Sequence, residues 1–177
     1  MQVVFIGLAG SGKSTWARRL AARLNLPYAD LDVLAEAALG ATIPEIFAAG
    51  RQSEFRACET RLLRALLGSD TPGVVATGGG APLARTVDWG GSYVVWLDPP
   101  VDVLERRLAA EWQQRPLFAA AGAHGWPLVL RRQASERRTR YEELAVETWS
   151  FEKEVEGFAA MERLALGWSD GTLTQDR

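Results

Sequence analysis

Residues Val3 to Thr15 read VVFIGLAGSGKST: a short apolar run, then Gly7-x-x-x-x-Gly12-Lys13-Ser14. This is the pattern of a phosphate-binding loop, in which backbone N–H groups close around phosphate oxygens and a Cβ would obstruct them. Gly7, Ala9, Gly10, Ser11, Gly12, Lys13, Ser14 and Thr15 are therefore candidate ATP-binding residues. Lys13 would place its ammonium on the β/γ-phosphates, and the Ser14 hydroxyl would ligate Mg²⁺. The flanks agree with this: Val3 to Ile6 suit a buried strand, and Ala17, Leu20, Ala21 and Leu24 recur at helical spacing. The helix would aim its N-terminal dipole at the phosphates. Only Lys13 and Lys153 are lysines among 20 basic residues, so a lysine inside the loop is a marked choice in a chain that otherwise uses arginine.

Outward from the loop, strand-like and helix-like segments alternate, as in a parallel α/β sheet. Strands are expected at Val3–Gly7, Tyr28–Ala29, Val74–Thr77, Tyr93–Leu97 and weakly at Ala145–Thr148. The first helix should stop at Asn25-Leu26-Pro27, and others should span Val33–Leu39, Ser53–Leu67 and the stretch opened by Asp98-Pro99-Pro100. Thr42-Ile43-Pro44-Glu45 has capping-box spacing. Gln114 to Gln133 is the least regular stretch, with Pro116, Gly122, Gly125 and Pro127, and reads as a lid. A closing helix from about Glu152 to Leu166 precedes a polar tail at 168–177, leaving one domain over 1–167.

At 177 residues the chain can bury a core of its own. A net charge of −2 gives no global reason to bind nucleic acid. One cysteine, Cys58, cannot form an internal disulfide, and one histidine, His124, leaves no His-rich metal site. No stretch is apolar enough to span a membrane, and the first apolar run has no basic residue before it. A cytoplasmic protein, acting as a monomer, is the expectation.

Four further features carry chemistry. Asp30-Leu31-Asp32 follows the second strand, and alternation there would put both carboxylates on one side, one toward Mg²⁺ and one as a base. Asp32 would equally serve as a helix N-cap. Arg56 and Glu59 share a helix face and could be no more than a surface ion pair worth a few tenths of a kcal/mol. Gly78-Gly79-Gly80 after the third strand suits either close backbone approach to a ligand or a flexible turn. Arg115 and Arg137 flank the irregular stretch, as arginines of a phosphoryl-transfer flap or as solvated side chains.

In order, GLAGSGKST, DLD, EFRACE, GGGAP, RPL and ERRTRYEE resemble the shikimate kinase family over nearly the whole chain. The resemblance implies a three-layer P-loop kinase fold with a five-stranded parallel sheet in the order 2-3-1-4-5. It implies transfer of the ATP γ-phosphoryl group to the 3-hydroxyl of shikimate, with Mg²⁺, in the route to aromatic amino acids. By position, Lys13, Asp32 and Arg115 would be catalytic, with Arg115 also on ATP. Asp30, with Ser14, would lie on the metal side. Asp32, Arg56, Gly78, Gly79, Gly80 and Arg137 would hold shikimate. The arginine expected at adenine is Arg106 or Arg107, and the family's proline near the adenine is absent from Thr148-Trp149-Ser150-Phe151. Rival readings are another P-loop metabolite kinase such as a gluconate kinase, or an inactive nucleotide-binding relative. A GTP switch lacks its Asn-Lys-x-Asp element, since Asn25 is the only asparagine.

Overall fold

A computed structural model describes residues 1–173. Five parallel strands form one sheet: β1 (Gln2–Gly7), β2 (Tyr28–Asp30), β3 (Gly73–Ala76), β4 (Ser92–Leu97) and β5 (Glu147–Trp149). Their spatial order is β2-β3-β1-β4-β5, as the family resemblance implied. β1 lies between β3 and β4, with Val4 beside Val75 and Val94. The apolar runs of β1, β3 and β4 are buried on both faces, which is why they read as continuous rather than alternating.

Successive β1 side chains feed two separate cores. Val3 and Phe5 pack with Trp16, Leu20, Trp149, Met161 and Leu164, beneath α1 (Lys13–Leu24) and α7 (Glu154–Ser169). Val4 and Ile6 pack on the other face with Leu63, Trp96, Leu104, Leu130 and Tyr141. These come from β4 and from α4 (Gln52–Leu67), α5 (Val101–Leu108) and α6 (Pro116–Leu144). A third cluster of Ala35, Ile46 and Phe55 ties α4 to α2 (Leu31–Leu39) and α3 (Ile43–Ala48). Of that trio, Phe55 lines the candidate active site.

Local signals set most boundaries. Asn25 takes the left-handed conformation at φ 55 and closes α1, and Thr42 with Glu45 forms the expected capping box. Three expectations are corrected. The stretch Gln114 to Gln133 is not irregular: a 3₁₀ turn at Trp112–Gln114 leads into α6, which is broken only at Gly122 (φ 72, ψ 176). Phe118, Trp126 and Leu130 anchor it in the core, and Trp112 stacks on Trp126 at 6.5 Å. Apolar packing outweighs the breaker residues here, Pro127 included, although its ring removes one bond of the second half. Second, α7 runs to Ser169, past the expected onset of a polar tail, because Trp168 and Leu173 cover the first core. Residues 174–177 of that tail lie outside the described residues. Third, β5 starts at Glu147 and not at Ala145, since the Val146 N–H bonds Val94 O before the ladder begins. No helix of the described residues is long and apolar enough to cross a membrane.

Candidate active site

β1 ends at Gly7 and the chain turns through Gly10 (φ 76) and Gly12 (φ 94) before α1 begins. Gly12 is the N-cap of α1 in a left-handed conformation with no side-chain cap, so the first-turn N–H groups keep their donors for an anion. The loop borders a cavity of about 480 Å³, lined by Ala9, Gly10, Gly12, Lys13, Ser14 and Thr15. Gly7 and Ser11 do not line it. Ser11 is buried under the loop, and a Cβ on Gly7 would stand 2.5 Å from Leu97 O, so these two shape the turn. Lys13 is 9% exposed and donates from Nζ to Leu8 O at 2.8 Å. Burial lowers its pKa from 10.5 to about 8, with Asp32 pulling it up and Arg115 pushing it down. A triphosphate would bring the counter-charge that this buried ammonium lacks.

The far end of this cavity is formed by Trp16, Arg19, Arg107, Phe151, Glu152 and Glu154. Trp16 meets Phe151 edge-on at 5.4 Å, and the Arg19 guanidinium lies over the Trp16 ring. Gly157 of α7 is required by space, since a Cβ there would overlap Trp16 and Phe151. Of the two arginines left open by the sequence, Arg107 lines the cavity and donates to Gly10 O at 3.2 Å. Arg106 points to solvent and pairs with Asp102. Sequence reasoning passed over Trp16 and Phe151, which look like ordinary core positions. The absent proline beside Phe151 was the one hint.

A second cavity of about 230 Å³ opens between α2, α3, α4, α6 and the Gly78–Gly80 turn. Each glycine makes room for a charged group, and Gly78 for two, since its Cβ would also stand 2.7 Å from Glu59 Oε1. A Cβ on Gly78 would stand 2.6 Å from Asp32 Oδ1, one on Gly79 3.1 Å from Arg137 Nη1, and one on Gly80 2.7 Å from Arg56 Nη1. None of the three has a positive φ, so close approach and not a flexible turn accounts for them. Arg137 Nη1 and Tyr141 Oη both donate to Gly79 O, at 2.8 and 2.6 Å. The Arg56–Glu59 pair is no ordinary surface pair: the contact is 2.7 Å, and Glu59 is 2% exposed. Burial raises the Glu59 pKa, Arg56 works against that, and Glu59 Oε1 has no hydrogen-bond partner among the described residues.

Asp30 and Asp32 also differ from expectation. Asp32 lies in the first turn of α2, and Asp30 is the N-cap, accepting from the Asp32 N–H at 3.1 Å and from Tyr28 Oη at 3.0 Å. The capping alternative thus falls to Asp30, and helix geometry, not strand alternation, directs Asp32 into the site. Asp32 carries a pKa raised chiefly by burial, offset by Lys13. Ser14 and the two aspartates offer hard oxygen donors of the kind Mg²⁺ takes in small numbers beside phosphates and water. No cluster of three or more His, Cys, Asp or Glu among the described residues forms a closed metal cage.

The two cavities meet at four residues that line both: Ala9, Lys13, Asp32 and Arg115. Arg115 caps the start of α6, stands 3.9 Å from Glu111 Oε2, and holds its Nε out of solvent with no partner among the described residues. A phosphate cradle, a carboxylate and a guanidinium at the junction, and a separate arginine-lined acceptor cavity define a P-loop phosphotransferase for a small anionic acceptor.

The chain belongs to the shikimate kinase family, whose model matches residues 9–163. It is 38% identical to the shikimate kinase of Brucella canis over 168 residues, 92% of this chain and 82% of that one. It is 42% identical to the shikimate kinase of Bradyrhizobium diazoefficiens over 126 residues, 70% of this chain, and spans 60% of that relative's length. The fold matches shikimate kinase from Acinetobacter baumannii in complex with shikimate, with a TM-score of 0.83 and 31% identity over 96% of this chain and 93% of that one.

Proposed function

We propose that the protein phosphorylates the 3-hydroxyl of shikimate with ATP, giving shikimate 3-phosphate and ADP in the route to aromatic amino acids. The observation that carries this reading is the junction of the two cavities, where Lys13, Asp32 and Arg115 face both. ATP would lie in the larger cavity with its phosphates on the loop. Shikimate would lie in the smaller, its carboxylate between the Arg56 and Arg137 guanidiniums, whose planar forks suit a two-bond grip. Its ring would rest on the backbone of Gly78 to Gly80.

In this pose the 3-hydroxyl faces Asp32, which orients it and takes its proton as the oxygen attacks the γ-phosphorus. Lys13 and Arg115 then stabilise the charge that moves onto the transferring group and the leaving oxygen. Ser14 and Asp30 would hold Mg²⁺, which when bound would supply charge neutralisation to the triphosphate. The segment 114–133 would act as a lid, carrying Arg115 on its first helix and hinging at Gly122. A monomer in the cytoplasm belongs to this reading, and the lone Cys58 is in keeping with that reducing compartment.

A gluconate kinase also accepts a carboxylate, so the arginines alone do not separate the two. Membership of the shikimate kinase family over residues 9–163 favours shikimate. ADP release measured with shikimate, with gluconate and with no acceptor decides the matter. Turnover with shikimate alone is expected; turnover with gluconate, or equal release without acceptor, overturns the reading.

A further inference from the structure

Three side chains on α6 fall in one row at four-residue spacing: Gln133, Arg137 and Tyr141. Arg137 and Tyr141 both reach Gly79 O. Gln133 lies one turn nearer Arg115 and also lines the acceptor cavity. It is 7% exposed, yet its amide makes no hydrogen bond to any described residue. Its polar atoms are not sealed in the core, so they stay open to the cavity and to a ligand there. The same cavity also carries apolar side chains, among them Phe118, Leu117 and Ile43. No neighbouring side chain in the row competes for the amide.

We infer that Gln133 is a specificity-determining residue that hydrogen-bonds one of the two acceptor hydroxyls that are not phosphorylated. This inference rests on the acceptor being shikimate. The charged groups of the cavity are matched to other tasks: two guanidiniums to the carboxylate, Asp32 to the reacting hydroxyl. A ring hydroxyl that keeps its proton needs a neutral partner able to donate and accept, and a carboxamide does both.

The test compares wild type with Gln133→Leu and Gln133→Met against shikimate, 4-deoxyshikimate and 5-deoxyshikimate, by calorimetry and steady-state kinetics. For shikimate, both variants should raise Kd and KM about five- to tenfold, the size of one net hydrogen bond. The kcat value and the KM for ATP should change less than about twofold, since the bond is made equally in ground and transition states. With one of the two deoxy compounds, wild type and variants should bind alike. Melting temperature should change little, because no hydrogen bond within the protein is lost and the replacement has similar volume. An unchanged shikimate affinity, an equal loss for all three compounds, or a fall in melting temperature with activity overturns the inference. If wild type itself fails to phosphorylate shikimate, the proposed function fails first, and that arm is read independently of the variants.

Discussion

The two cavities are built on opposite plans. The nucleotide cavity takes its phosphate end from one stretch of chain, Ala9 to Thr15 with Ser11 buried beneath, and works through backbone N–H groups and a single buried lysine. The acceptor cavity draws Asp32, Arg56, Gly78 to Gly80 and Arg137 from four separate parts of the chain and works through side-chain charge. A backbone cradle tolerates variety in its surroundings, since its donors are supplied by the turn itself. A charge network depends on tertiary packing to bring its members within 3 Å of one another. Substitutions on the first plan should therefore affect chemistry without affecting the fold, and some on the second should affect both.

The largest effect is expected at Lys13. Lys13→Ala should abolish measurable transfer, since the ammonium answers the charge developing at the β/γ-bridge. Its folded pKa, about 8, lies below the ordinary 10.5, so the buried charge opposes folding at neutral pH. That cost fades only as pH rises from about 8 through 10.5. The variant should therefore keep or raise its melting temperature in calorimetry. For the same reason wild-type kcat/KM for ATP should fall as pH passes about 8. Near-normal turnover by a folded variant would break the contrast at its strongest point.

Arg115 and Asp32 come next, where the two plans touch. Arg115→Ala should lower kcat by about 10³, by analogy with arginine fingers, while ATP binding changes far less. Asp32→Asn should lower kcat by about 10²–10⁴, the usual range for losing a general base. The Asp32 pKa is raised by burial, so its ionised form opposes folding above that pKa and ceases to do so as pH falls through it. The amide variant should be no less stable at pH 7. In wild type, kcat/KM should fall on the acid side at a pH above the ordinary carboxylate value. An Asp32→Asn protein that melts earlier yet turns over normally would make the residue structural.

The same division explains what could be read from the chain. The loop, its strand and its helix are local, so periodicity and glycine spacing sufficed for β1, Lys13 and α1. The strand order 2-3-1-4-5 came through the family resemblance, because no local pattern records which strands pair. In the acceptor cavity, residues alone left Arg56 as a possible surface pair and the glycines as a possible turn. What settles each is a partner from elsewhere: the Gly78 backbone lies against Glu59, and Asp32, Arg137 and Arg56 stand where three Cβ atoms would be. Helix α6 was misread for the converse reason. Its Gly and Pro residues are local signals, but Trp112, Phe118 and Trp126 supply long-range packing that overrides them. Gln133 gave no sign at all, since an amide in a helix normally faces water.

The two acceptor arginines should separate from each other. Arg137→Ala and Arg56→Ala should each weaken shikimate binding by about 2–5 kcal/mol, the range for losing one partner of a buried charge pair. ATP affinity should change little in either. Arg56→Ala alone should also lower the melting temperature, by about 2–4 °C for each kcal/mol in a chain of this size, since it leaves Glu59 buried without its cation. Arg137 forms no ion pair among the described residues and acts on Glu59 only at longer range, and its hydrogen bond goes to a carbonyl that Tyr141 also serves. Equal weakening of both ligands, or equal melting shifts, would erase the distinction between a charge that binds and a charge that also supports.

The smallest effect is expected at Tyr141, and it tests whether the acceptor plan extends below the cavity wall. Tyr141 is 1% exposed, packs against Trp96 in the second core, and donates to Gly79 O at 2.6 Å. It does not line the cavity. When the Arg137 guanidinium turns to a bound carboxylate, the Gly79 carbonyl loses that donor, and Tyr141 remains to hold the glycine turn in place. Tyr141→Phe keeps the ring and its packing and removes only this bond, a change of about 1 kcal/mol. The KM for shikimate should rise about threefold to fivefold, with kcat and the KM for ATP nearly unchanged. The phenylalanine variant should reveal more when combined with Arg137→Ala. Alone, each change leaves Gly79 O one donor; together they leave it none, so the pair should cost more in melting temperature than the sum of the single variants. Strict additivity would mean that the two donors act separately, and that the glycine turn is held by its own backbone and not by α6.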